Sequence, residues 1–443
     1  MESTASLAPA VQRERVQRRA VATLSASQLL SGIGNGASLA VGSLLAVEVT
    51  GSASFAGTAT LAISVAGAVS ALPLAGFAVH KGRRRALAFG YFLAAVGAVG
   101  MIFTPLLQSF ALLMVSAFML GVGNAANLQA RFAATDLALP EHRGRDLGLV
   151  VWSITVGAVA APNLIGPGAA VGRFFGLPDM SGPFIFSLVG MVAAIIVLSF
   201  GLRPDPLLFA RSQNGSSPSG PARSSLKEGL VALRELPGAR LGVGVVVVAH
   251  LLMVGIMSMT PVHVQHLAAH NALEAGAASA TGSAQQLDTL VLIGFIISLH
   301  IAGMFALSPL FGMLADRWGR HRTMLLAQAV FVLCAVCVVF GGNQEWSVTV
   351  ALVLLGLAWS IATVSGSAFV SESVSEQSRV PVQGLSDMLM GVAGATGSGL
   401  AGLVLATWGF SGLGWICLGL SLVITGWILR SRKMSRSSCP KVV

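Results

Sequence analysis

Charge is what this sequence lacks. Only 10% of its 443 residues are Asp, Glu, Lys or Arg, against about 25% in an ordinary soluble domain. A chain that is 54% hydrophobic, with 52 glycines and long apolar runs, reads instead as a polytopic helical membrane protein. Acids are scarcest where they would matter most. Glu48, Asp136, Glu372 and Asp387 all fall near the ends of apolar runs, and no carboxylate is expected at mid-membrane. That argues against exporters of cationic drugs, which rely on such groups. Cysteine is also rare. Cys334 and Cys337 share one run, Cys417 lies in another and Cys439 in the tail, so no external disulfide framework is expected. No clear cleavage site follows the first apolar run, which is also too long for a signal-peptide core; it reads as an uncleaved first span.

What is present is a set of twelve apolar runs, each near the ~20 residues that cross a bilayer. They cover 21–47, 54–79, 86–104, 109–133, 147–171, 183–202, 241–265, 290–315, 323–341, 347–371, 383–407 and 411–430. The chain divides into a polar N-terminal segment (1–20), six spans (21–202), a linker (203–240), six more spans (241–430) and a tail (431–443). Ser212 to Ser225 is rich in Ser, Gly and Pro and reads as flexible. Leu226 to Leu236 is expected to form a short amphipathic helix on the membrane surface. With the N-terminus inside, the even-numbered loops hold Lys81, Arg83, Arg84, Arg85, Arg143, Arg145, Arg317, Arg320, Arg322 and Arg379, and the odd-numbered loops hold essentially Arg173 alone. That is a positive-inside pattern with both termini cytoplasmic. The net charge of +10 is therefore a topology signal, with some attraction to anionic headgroups, and not a nucleic-acid footprint.

The two sets of spans repeat. Gly76-Phe-Ala-Val-His80-Lys81 matches Gly312-Met-Leu-Ala-Asp316-Arg317, and Asp136, Arg143 and Gly148 match Glu372, Arg379 and Gly384, all at an offset of 236. One offset across two separate loops indicates an internal duplication. The run from Gly312 through Asp316, Arg317, Gly319 and Arg320 to Arg322 resembles the GxxxDRxGRR loop of the major facilitator superfamily, and Gly157 to Pro167 loosely resembles its glycine-proline motif in span five. The resemblance implies an all-α membrane protein of twelve helices in two six-helix bundles around a cavity, with transport by alternating access. It makes Gly312, Asp316, Arg317, Gly319 and Arg320 a gating loop, whose carboxylate gains about 0.3–1 kcal/mol at a helix N-terminus. His80 replaces the Asp in the first copy: a weaker or pH-sensitive latch, or a decayed repeat. Arg131, with Asp136 about one turn beyond, reads as a structural ion pair or gate. The family's arginine early in span four is absent, with Ala117 near that place.

Soft ligands concentrate in spans seven and eight. Met253 and Met257 are four residues apart, as are His300 and Met304, and five of the eight histidines lie between 250 and 300. Residues four apart share a helix face. With span seven running outward and span eight inward, Met257 lies ~12 Å below the outer boundary, Met253 ~18 Å, His250 ~22 Å, His300 ~15 Å and Met304 ~21 Å. The five interleave near the bilayer centre, where facilitator-type transporters bind substrate. Thioethers suit Cu(I) and imidazole accepts copper or zinc. Met259, His263, His266 and His270 lie nearer the outer mouth; they could gather metal or be solvated loop residues. Plain core packing is the ordinary reading of each Met taken alone.

The MxxxM and HxxxM pair resembles the copper-importing CcoA-like (CalT) branch of the superfamily. That resemblance implies Met253, Met257, His300 and Met304 as copper ligands, with His250, Met259 and His263 as accessory groups, and copper as cargo rather than cofactor. Related members are associated with riboflavin uptake. The expectation is thus a non-enzymatic, monomeric copper importer of a bacterial cytoplasmic membrane, with the bilayer and a small solute as its partners. The nearest alternative is a transporter of riboflavin or a drug-like solute, oriented by Asn124, Asn127 and Asn163. A non-transporting metal sensor or assembly factor is more remote.

Overall fold

An apolar run surrounded by lipid has no hydrogen-bond partner for its backbone except itself, so each run folds as a helix. The computed structural model describes residues 2–51, 55, 58–160, 165–213, 226–274 and 283–437. Among them every regular element is helical. The α-helices are α1 (Glu2–Thr50), α2 (Thr58–Lys81), α3 (Arg83–Leu107), α4 (Phe110–Ala133), α5 (Arg143–Ala160), α6 (Ile165–Phe174), α7 (Gly182–Gly201), α8 (Pro206–Gln213), α9 (Leu226–Glu235), α10 (Pro237–Glu274), α11 (Ser283–Phe305), α12 (Ser308–Trp318), α13 (Arg320–Gly341), α14 (Glu345–Ser373) and α15 (Glu376–Ser437).

The twelve expected crossings map onto these elements. Spans one to four lie in α1 to α4, span five in α5 and α6, span six in α7 and span seven in α10. Span eight is α11 with α12, and spans nine and ten are α13 and α14. The 62-residue α15 holds the last two, because Gly409 at φ 69 breaks it. α1 runs unbroken from Glu2 through the polar N-terminal stretch into span one.

Span eight breaks for a local reason. Pro309 stands in the first turn of α12, lacks a backbone N–H and disfavours helix in the residue before it. Ser308 bridges the break, its Oγ donating to the carbonyls of Phe305 at 2.7 Å and Gly148 at 3.0 Å.

Each half has its own apolar core. Leu24, Leu87, Tyr91, Leu113 and Phe184 belong to the first, and Leu252, Phe331, Leu355, Trp359 and Ile428 to the second. Span ten is central: 72% of its most apolar window is buried, against 33% for span six. The halves meet chiefly through α5 on α12 and α2 on α15. Glycines allow these crossings: a Cβ on Gly144 or Gly312 would strike the other's carbonyl, and one on Gly384 would strike Ala75.

The linker departs from expectation. α9 forms where predicted, but its Gly229 and Ala232 are buried. Gly229 faces Leu385 and the Pro381 carbonyl of α15, and Ala232 joins a cluster with Val243, Val370 and Val382. The helix docks on protein because its small residues fit there, leaving Leu226 and Leu230 outward. α8 is an element the sequence reading missed. Asp205 caps it, accepting from the backbone of Leu207 and Leu208, and also accepts from Arg84 N at 2.8 Å.

Candidate functional site

The basic loops converge on one face, and the polar contacts joining the halves gather there. Asp316, at the end of α12, accepts from the backbone N–H of Gly144 at 2.9 Å and of Arg145 at 2.8 Å. These are orphan donors in the first turn of α5, so a carboxylate of one half caps a helix of the other. Arg320 grips Asp316, holds Glu372 through Nε at 3.0 Å and Nη2 at 2.6 Å, and donates to the Pro140 carbonyl at 2.9 Å. Gly319 precedes it at φ 88, where glycine avoids the strain of a side chain. Arg317 is exposed.

The first half mirrors this with one residue fewer. Gly82 matches Gly319, also at φ 88, so Arg83 occupies the place of Arg320. Arg83 is buried and forks onto Asp136 at 2.9 and 3.2 Å, while its Nη2 donates to Gln383 of the other half at 2.6 Å. The missing latch carboxylate also has an explanation. At the repeat offset, Gly144 and Arg145 correspond to Val380 and Pro381. Proline has no N–H, so an Asp at position 80 would lose one of its two donors. His80 is exposed.

Deeper in the seam, the expected neighbourhood of Arg131 and Asp136 is not a pair. Asp136 belongs to Arg83, and Arg131 of α4 instead donates to Asp387 of α15 at 2.6 Å, both nearly fully buried. Asp387, placed near a span end from sequence, is thus a buried carboxylate between the halves. Thr135 donates to Ser371 at 3.2 Å beside it.

The soft residues lie elsewhere, in the second half. Met253 and Met304 are buried in its core, and Met257 and Met259 pack against it half-buried. α10 and α11 scarcely touch; both pack on α14. His300 is fully buried, with Nδ1 2.7 Å from the Leu352 carbonyl. A carbonyl only accepts, so Nδ1 carries the proton and a neutral ring keeps its lone pair on Nε2. That Nε2 is buried without a hydrogen-bond partner. His250 is committed differently: Trp359 Nε1 donates to its Nδ1 at 3.1 Å, and Trp359 also meets Phe305 edge-on at 5.7 Å. His263 stacks on Phe410 at 4.0 Å and donates from Nε2 to the Gly342 carbonyl at 2.6 Å. With His266 it lines a cavity of about 590 Å³ between α10, α13 and α15. Among the described residues no three His, Cys, Asp or Glu cluster as metal ligands. Asn163 and the side chain of His270 lie outside the described residues. Asn127 accepts from Tyr91 at 2.7 Å and Ser31 at 2.7 Å within its own half.

Sequence reasoning missed Arg83, Gln383, Asp387 and Trp359 as working residues. The signal for Arg83 was available: it follows the loop glycine as Arg320 does. Nothing in the sequence joins Arg131 to a residue 256 positions away.

Comparison with known proteins follows the same lines. The model of the Major Facilitator Superfamily matches residues 24–287 and 280–440. The chain is 34% identical to the uncharacterised MFS-type transporter YddS of Bacillus subtilis (strain 168), over 89% of this chain and 86% of that one. It is 25% identical to the riboflavin transporter RfnT of Brucella anthropi, over 82% and 83%. In fold it resembles the crystal structure of a bacterial homologue of the iron transporter ferroportin, with TM-score 0.67 and 18% identity over 93% of this chain and 98% of that one. With two repeated six-helix halves, a glycine-lined seam and these matches along its length, the chain belongs to the Major Facilitator Superfamily and is a multi-pass membrane transporter.

Proposed function

We propose that the cargo is copper, as Cu(I), imported by alternating access across a cell membrane with both termini in the cytoplasm. The observation that carries the cargo is His300. Metal-ligating histidines donate their second ring N–H to a carbonyl or carboxylate, which fixes the tautomer and leaves a lone pair for the ion. His300 has that arrangement toward Leu352, with Nε2 buried and unpartnered. Met304 follows one turn later, and Met253 and Met257 stand on α10, which packs like α11 on α14, at the depth that the helical rise predicts. Thioether and imidazole hold Cu(I) without the tight grip of thiolate, which favours release. His250, whose Nδ1 accepts from Trp359, positions the wall and does not ligate.

In this reading the structure corresponds to the state closed toward the cytoplasm, with the basic face latched by Asp316, Arg320 and the Arg131–Asp387 pair. Opening that face breaks these contacts and releases the ion. The orientation rests on the basic loops. A fluorescent protein fused after Val443 should glow in cells; a dark but abundant fusion counts against it.

X-ray absorption of the purified chain loaded with Cu(I) tests the ligands. Sulfur and nitrogen scatterers are expected around copper in the native chain, with nitrogen lost in His300→Leu and sulfur reduced in Met304→Leu. An identical spectrum in native and variant chains sinks the site.

A second reading, an organic solute such as riboflavin, is favoured by the resemblance to RfnT. The unpartnered buried hydroxyls of Ser360, Thr363 and Ser367 lie close in sequence to Trp359 on α14 and would orient such a ligand.

A further inference from the structure

The repeat offset of 236 also matches Arg143 with Arg379. Arg143 opens α5 and Arg379 lies in the first turn of α15. The two equivalent residues therefore approach each other across the seam on the basic face. With Arg13 of α1 and Gln213 of α8 they line a cavity of about 140 Å³, whose acidic members are Asp136 and Glu376.

Three arginines, Arg13, Arg143 and Arg379, line this cavity against two carboxylates, Asp136 and Glu376. Asp136 is taken up by the fork of Arg83, and nearby Glu372 by Arg320. Arg13 is anchored through Nε to the Leu137 carbonyl at 3.1 Å. Arg143 and Arg379 each bury an Nε with no hydrogen-bond partner. Burial, and then the charge of Arg379, lowers the pKa of Arg143; Glu372 opposes this, while Arg320 and Arg13 add to it. Like charges lining one space, each with a buried unpartnered donor, gain most from an anion that accepts from several at once. An organic cargo needs about 300–1,000 Å³, so this space suits a much smaller ligand.

We propose that this cavity is an oxyanion site, taking a phosphate group either free or as a lipid headgroup, and that the bound anion ties the two halves together on the basic face. The site contacts α1, α5, α8 and α15, so occupancy stabilises the latched state and slows its opening whatever the cargo.

The test uses the full chain in nanodiscs of neutral phosphatidylcholine. Deuterium exchange is followed in peptides covering 137–150, which contain the Gly144 and Arg145 amides held by Asp316. Inorganic phosphate is compared with sodium chloride at equal ionic strength. Exchange should slow by about tenfold at a phosphate concentration about ten times its dissociation constant. Arg143→Gln and Arg379→Gln should lose that protection, and Lys81→Gln, an exposed base on the same face, should keep it. Nanodiscs containing phosphatidylglycerol form the second arm. Protection there without added phosphate assigns the site to a lipid headgroup, and protection by phosphate alone assigns it to the free ion. If Arg143→Gln melts early, Arg143→Lys replaces it, and its weaker grip should reduce the phosphate effect. No protection in either arm, or full protection in the arginine variants, overturns the proposal.

Discussion

At the scale of single residues, the account turns on charges that have left water in pairs. Arg131 and Asp387 are both nearly fully buried, and removing one partner leaves the other charged and alone. Asp387→Asn should therefore destabilise by about 3–5 kcal/mol, read as a lower melting temperature of the detergent-purified chain. Replacing both, as Arg131→Met with Asp387→Leu, should recover most of the loss, because well-packed apolar residues can substitute for a buried pair. If the double variant melts as low as the single ones, the pair is not a closed unit. This pairing was not legible in the sequence. Asp136, five residues from Arg131, is the obvious partner by proximity, but it is claimed by Arg83 through a fork whose geometry is set by the loop glycine at Gly82. Local spacing ranks neighbours along the chain, whereas buried charges choose partners across it.

Elements read more easily than pairs. The apolar runs read as helices because the bilayer leaves the backbone few alternatives, and loop charge marked one face. The break of span eight was harder to see, since Pro309 sits inside an otherwise continuous apolar run and acts only on its own turn. The docking of α9 depended on Gly229 meeting Leu385, which is a matter of packing and not of amphipathic pattern. The seam between α5 and α12 carries its own prediction. Gly312 and Gly144 approach so closely that a Cβ on either meets the other's backbone. Gly312→Ala should leave each half folded and abundant in the membrane while preventing the basic face from closing. Amide exchange at Gly144 and Arg145 should rise, and uptake should fall by tenfold or more, since ~1.4 kcal/mol against the latched state already shifts that equilibrium about tenfold. Native exchange in this variant would mean that the crossing is not what holds the face closed.

For the whole molecule, duplication explains both what matches and what does not. Arg83 and Arg320 perform one task twice, each binding an acid of its own half and an acceptor of the other. Asp316 has no counterpart, because the positions on α15 equivalent to Gly144 and Arg145 are Val380 and Pro381, and proline has no N–H to donate. The latch is therefore asymmetric, and its carboxylate belongs to the half that also carries the soft residues. Family and architecture were legible from repeat, loop motif and topology. The proposed cargo rests in the sequence only on a spacing of Met and His, because spacing does not say which ring nitrogen is free; for His300 the Leu352 carbonyl supplies that. The central claim is that His300 presents its lone pair to copper on the way through. The direct measurement is uptake of copper-64 under reducing conditions, beside riboflavin uptake, in proteoliposomes holding the native chain or His300→Leu at equal abundance. Copper should accumulate with the native chain and fall to the empty-liposome level with His300→Leu, while riboflavin stays at background in both. Riboflavin accumulation without copper, or copper uptake untouched by His300→Leu, would contradict the account.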